Sequence, residues 1–156
     1  MSEILKRGEL PKRPIPGLVI RYSYLWHREA QEKRIEGLKS RPCAVVLSHS
    51  NVRQFPGRFV ADVVPITHTP TDGAVEIPVS VKRRMGLDDD PSWIVTTEIN
   101  RFFWPGPDLR RAKEEWQPGG PAWHWGFLPV NIFNQAKEAV LKHRAEKTLA
   151  IVPRAY

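Results

Sequence analysis

Two arginines and a threonine stand at the ends of apolar runs in this chain, and side chains of these types can hold a phosphate. Arg41 precedes Pro42 and the run PCAVVLS (42–48), with Lys39 two residues upstream. Thr67 closes VVPIT (63–67), and Arg101 follows WIVTTEI (93–99), with Glu98 three residues before it. An arginine clamps a phosphate through two parallel N–H donors, and a threonine hydroxyl bonds the same oxygens. Residues at strand ends are held by a rigid sheet yet stay exposed at its rim. The plainer alternative makes Arg41 and Arg101 solvated strand termini, paired with Glu36 or Glu98.

Other chemistries have no motif here. Neither GxxxxGK[ST] nor GxGxxG occurs, and neither does HExxH or a GxSxG elbow. The five histidines (His27, His49, His68, His124 and His143) are scattered, and an ordinary surface or packing role is the simpler reading of each. A nucleotide- or metal-dependent enzyme is therefore not expected, and no cofactor is assigned.

Charge points to the partner. The 156 residues carry 24 Lys+Arg against 17 Asp+Glu, a net +7, which favours an anionic partner such as nucleic acid or an acidic protein. The length fits one domain that can bury about 70% of its unfolded surface without a metal or disulfide. The single cysteine, Cys43, excludes a disulfide framework. Fifteen prolines, about twice the usual share, argue against a helical bundle. The longest apolar run, 44–47, is far too short to span a bilayer, and the N-terminus lacks the apolar core of a secretory signal, so a soluble cytoplasmic protein is expected.

The elements that must position these residues read mostly as strands. Residues 1–16 form a basic, proline-rich arm. From Gly17 the pattern alternates, with Val19, Arg21, Ser23 and Leu25 on one face and Leu18, Ile20, Tyr22 and Tyr24 on the other. The charged stretch 27–41 reads as a short surface helix or a mobile loop. Strands are expected over 42–48, 58–67, 74–78 and 92–99, with Pro65 marking an edge or a bulge. A polar loop fills 51–57, and VSVKRRMG (79–86) fits one or two helical turns ending at Gly86. The segment 104–126 reads as irregular, with Trp116, Trp123 and Trp125 seeking burial over a barrel mouth or a partner. A helix follows over about 129–147, with Pro129 in its first turn and an apolar face of Ile132, Phe133, Ala136, Ala139, Val140 and His143. The expectation is a mostly β domain, a small, mostly antiparallel barrel or sandwich with a terminal helix.

The run GLVIRYSYL, then KSRPCAVVLS, then VVPIT, then TEINRF resembles, in order, the PemK/MazF toxins of bacterial toxin–antitoxin modules. It covers residues 17–103, with the terminal helix matching in kind. The resemblance implies an SH3-like barrel of the PemK/MazF/CcdB type, a homodimer, and a metal-independent, sequence-selective endoribonuclease acting on single-stranded RNA. It implies that Arg41 is the catalytic arginine and Thr67 the phosphate-holding threonine. Lys39, Arg101, Glu98 and Arg21 are then the RNA-binding candidates, and an acidic antitoxin whose disordered segment folds on binding is the expected protein partner. Some members carry an acidic residue two positions after the arginine of the last strand. Here that position is Phe103, which leaves His27, Glu29 or His68 as candidate bases. Related gyrase-poisoning toxins share the fold without cutting RNA, so a non-catalytic binder of a protein or of nucleic acid is the alternative.

Overall fold

The computed structural model describes residues 8–34, 37, 39–50 and 56–154. Residues 1–7 of the arm, Glu36, and 51–55 of the polar loop lie outside them. Nine strands and three helices alternate along the described residues, in a mostly β architecture. The strands are β1 (Leu18–Tyr22), β2 (Arg41–His49), β3 (Phe59–Thr67), β4 (Val75–Ile77), β5 (Ser92–Ile94), β6 (Glu98–Trp104), β7 (Leu109–Arg110), β8 (His124–Phe127) and β9 (Ala150–Pro153). The helices are α1 (His27–Gln31), α2 (Val79–Met85) and α3 (Val130–Ala145).

All nine strands join one sheet, with the path β4-β5-β3-β2-β1-β7, β6 on β3, β8 on β1 and β9 on β6. Every pair is antiparallel except β6 and β9, which run parallel. The alternation read along β1 holds: Leu18, Ile20, Tyr22 and Tyr24 enter one apolar cluster and Val19 the other. β2 alternates likewise, with Cys43 and Val45 on the first face and Ala44 and Val46 on the second. The second face is covered by Ile132, Ala136 and Val140 of α3 and by Val81 of α2.

The first face is covered by the sheet itself. β1 and β6 are separated by β2 and β3, which in a flat sheet would set them about 14 Å apart. Yet the Tyr22 and Phe102 rings stack with centroids 4.4 Å apart, so the sheet curls sharply. Buried polar groups tie the curl. Asn100 accepts from the Leu25 N–H at 2.8 Å and donates to the Leu25 carbonyl at 2.7 Å. Arg154 donates to the Ser23 carbonyl at 2.6 Å and to the Asn100 side-chain Oδ1 at 3.0 Å, and it pairs with Asp108 at 3.1 Å.

Several sequence expectations need correction. The run 92–99 is two strands rather than one, because Val95 turns its N–H to the Pro65 carbonyl and β3 changes partner there. Pro65 therefore marks neither an edge nor a bulge: it sits in a central strand, between the residues that pair with β6 and those that pair with β5. The segment 104–126 is not wholly irregular, since β7 lies inside it and β8 starts in it, both pairing with β1. Trp116 and Trp123 are exposed, against the expected burial, while Trp125 is partly buried against the second-face core. Pro129 is the N-cap of α3, one place before its first turn. β9 follows the helix where no strand was expected, and its pairing with β6 is the sheet's one parallel pairing among the described residues.

Asn100→Ala would strand the Leu25 N–H, the Leu25 carbonyl and one Arg154 donor bond, each a buried group whose loss costs about 1–3 kcal/mol. Urea unfolding should show at least about 2 kcal/mol of destabilisation. A loss under half of that would mean the tie is not what holds the curl.

Candidate functional site

Cys43 pairs with Pro65 across β2 and β3, so the same register carried two residues on sets Arg41 opposite Thr67. Both line a cavity of about 380 Å³ together with Lys39, His68 and Lys82. Strand geometry brings together two residues 26 positions apart in sequence, on the face that also carries Tyr22 and Cys43.

Arg41 is held from behind. Its guanidinium lies 5.0 Å from the centroid of the Trp26 ring, a cation–π contact, and its Nε is buried with no hydrogen-bond partner among the described residues. Trp26 is the N-cap of α1, and its N–H donates to Glu29 Oε1 at 3.1 Å. Glu29 is buried and lies 3.6 Å from Arg34, so this candidate base is occupied in capping a helix. Gly37 lies against the strand that leads into Trp26: a Cβ there would come within 2.1 Å of the Tyr24 carbonyl oxygen.

Glu98 continues the same face. Its Oε1 accepts from the Tyr24 hydroxyl at 3.1 Å and from the His27 N–H at 2.9 Å. Burial pushes the Tyr24 phenol well up, helped by the Glu98 charge and opposed by the Arg41 charge, so Tyr24 remains a neutral donor. His27 itself lines a different cavity of about 450 Å³, with Leu25, Arg34 and Arg154.

The far wall of the Arg41–Thr67 cavity is a polar clamp. Lys82 is 2% exposed, and its ammonium contacts the Asp88 carboxylate and the Asp90 carbonyl and donates to Ser92 Oγ at 2.6 Å. Asp88 also holds His68 Nε2 at 2.9 Å. Burial would raise the Asp88 carboxyl, but hydrogen bonds from Lys82 and His68 and the Lys82 charge outweigh it and hold it below its ordinary value. A neutral His68 that donates from Nε2 to Asp88 keeps its Nδ1 lone pair for a proton. His68, Asp88 and Asp90 bring one ligand atom each within 4.8 Å of one another. The Lys82 ammonium already supplies the positive charge that a cation would bring there.

The remaining candidates lie elsewhere. Arg101 forms a two-bond pair with Asp62, at 2.8 and 3.0 Å, and the fully buried Asp62 also meets His49 Nε2 at 2.7 Å. That cluster lies on the opposite face of β3 from Thr67, by strand alternation. Arg21 donates to Ser40 Oγ at 2.8 Å and to the Arg111 carbonyl at 3.2 Å, and it lines an adjoining cavity of about 550 Å³. Sequence reading missed Trp26, Tyr24 and the Lys82–Asp88 clamp as members of the site. Only Tyr24 carried a signal, its parity with Tyr22 along the first strand.

Set against protein-family models and against curated proteins, the chain matches none.

Because the Asp88 carboxyl is held below its ordinary value in the folded protein, its contribution to stability is present above the ordinary carboxylate range. That contribution is lost as pH falls through the lowered value. Unfolding midpoints should therefore fall from about pH 4 downward in the wild type and more shallowly in Asp88→Asn. Parallel profiles would show that the clamp adds nothing.

Proposed function

We propose that this protein is a metal-independent endoribonuclease of the toxin type, cutting single-stranded RNA at the Arg41–Thr67 cavity. The observation that carries the reading is that Arg41 and Thr67 line one cavity with Lys39 and His68, at the ends of strands paired through Cys43 and Pro65. The ordered resemblance of residues 17–103 to PemK/MazF toxins agrees with it. The curl that stacks Tyr22 on Phe102 supports an SH3-like barrel, and the cationic cavities suit an acidic antitoxin segment competing with RNA. A cytoplasmic homodimer completes this reading.

Chemically, a base takes the proton of the ribose 2′-hydroxyl, and that oxygen forms a bond to phosphorus. The bond from phosphorus to the 5′-oxygen breaks, and the leaving oxygen takes up a proton. The products are a 2′,3′-cyclic phosphate and a 5′-hydroxyl. Negative charge grows on the phosphorane oxygens, where Arg41 and Lys39 stabilise it and the Thr67 hydroxyl donates. An arginine keeps its protons at any working pH, so Arg41 acts through charge and N–H donation rather than as the acid. With Glu29 capping α1 and His27 at another cavity, the base role falls to His68, oriented by Asp88.

Purified protein incubated with long RNA in EDTA should cut at a recurring short sequence and leave cyclic phosphate ends. Arg41→Ala should lose about 10²–10³ in rate, the usual cost of one donor to a developing oxyanion, while unfolding at the same urea concentration. His68→Asn should flatten the acid limb of the pH–rate profile. Intact RNA across many sequences, with inhibition of a protein target such as gyrase instead, would overturn the nuclease reading in favour of a binding one.

A further inference from the structure

The 550 Å³ cavity adjoins the first and shares Ser40, Arg41, Pro42, Leu87 and Asp88 with it, so the two form one continuous trough. Beside the shared start of β2, its walls come from Arg21 on β1, Arg84 on α2, Lys113 and Gln117 in the segment after β7, and Trp125 on β8. Arg83 is spoken for by Asp89 at 3.0 Å, whereas Arg84 and Lys113 enter no ion pair among the described residues. Among the described residues, Asp88 is the one acidic residue lining the trough, and it is held by Lys82 and His68. Gly86, in a left-handed conformation at the end of α2, makes room for Lys113: a Cβ there would meet the ammonium nitrogen at 2.8 Å.

We propose that this second cavity binds the stretch of single-stranded RNA flanking the cleaved phosphate, with Arg84 and Lys113 contacting backbone phosphates and Trp125 walling a base. The proposal rests on the nuclease reading of the first cavity and extends it to residues that reading does not use. Cations spread over three elements suit a chain of phosphates better than one small anion. An aromatic wall beside them suits an unpaired base, whose stacking tolerates any sequence. The Trp-bearing segment thereby gains a role in substrate binding that burial alone does not provide.

The test separates binding from cutting. A fluorescent RNA about ten nucleotides long, with 2′-O-methyl riboses so that it cannot be cleaved, is titrated with wild type, Arg84→Ala/Lys113→Ala and Lys137→Ala/Lys142→Ala between 50 and 300 mM salt. Each lost phosphate contact on a single strand lowers the slope of log K against log salt by about 0.7. The trough variant should therefore bind about tenfold more weakly at low salt, with a slope smaller by about 1.4. The α3 variant, whose lysines lie outside both cavities, should match the wild type. Equal affinity and slope for the trough variant, or an equal loss in the α3 variant, would overturn the subsite. Cleavage by the wild type is scored separately, so RNA that binds in the trough but is never cut leaves the subsite standing and removes the nuclease reading.

Discussion

The buried tie between Asn100, Arg154 and the chain leaving β1 is the constraint on which the rest of the structure depends. Asn100 is fully buried and Arg154 is 2% exposed, so their polar groups have given up water and must find partners inside. They find them in Leu25, Ser23 and Asp108, and the partners meet only if the sheet bends through β2 and β3 until β1 faces β6. The stacking of Tyr22 on Phe102 follows from the same bend. A flat sheet would leave one face wet and these groups unsatisfied. The polar tie and the aromatic core therefore specify one curvature between them.

That curvature decides where the cations end up. The backbone beyond Tyr22 turns so that Tyr24 reaches Glu98 and Trp26 lies beneath the Arg41 guanidinium. An arginine seated on an indole keeps its charge while losing part of its water, which strengthens its field at the cavity. Glu29 contributes indirectly, since it fixes the N-cap from which Trp26 projects. The site is thus built backward from a buried network: the carboxylate holds the cap, the cap holds the ring, and the ring holds the guanidinium.

What was legible in the sequence follows from periodicity. The period-two alternation of 18–24 and the short β-branched run 42–48 betrayed two strands and their faces, and the glycine at 86 betrayed the end of α2. The break inside 92–99 was invisible because Val95, Thr96 and Thr97 are all good strand formers, and only the change of partner at Pro65 separates β5 from β6. β7 and β8 were hidden by their brevity, since pairing with β1 rather than their own composition makes them strands. At the site, Arg41 and Thr67 were legible as strand-end residues with Lys39 just upstream, while His68 was one of three candidate bases beside His27 and Glu29. Lys82 was not, because nothing local distinguishes a buried lysine from the exposed cations beside it; Asp88, Asp90 and Ser92 become its partners only once the chain has turned.

The net charge of +7 says less than the way the cations are sorted. Arg101, Arg154 and Lys82 carry charge inward, each matched to a carboxylate: Asp62, Asp108 and Asp88. Each pair has at least one fully buried partner, whose desolvation is repaid only in good geometry with further hydrogen bonds, and all three have them. These side chains serve the fold and cannot also answer a phosphate. Lys39, Arg41, Arg84 and Lys113 line the two joined cavities, while others, such as Arg58, Lys137 and Lys142, lie away from them. Four cations set along one trough, beside the Trp125 wall and with Asp88 already held by Lys82, are the group on which the proposed RNA reading draws.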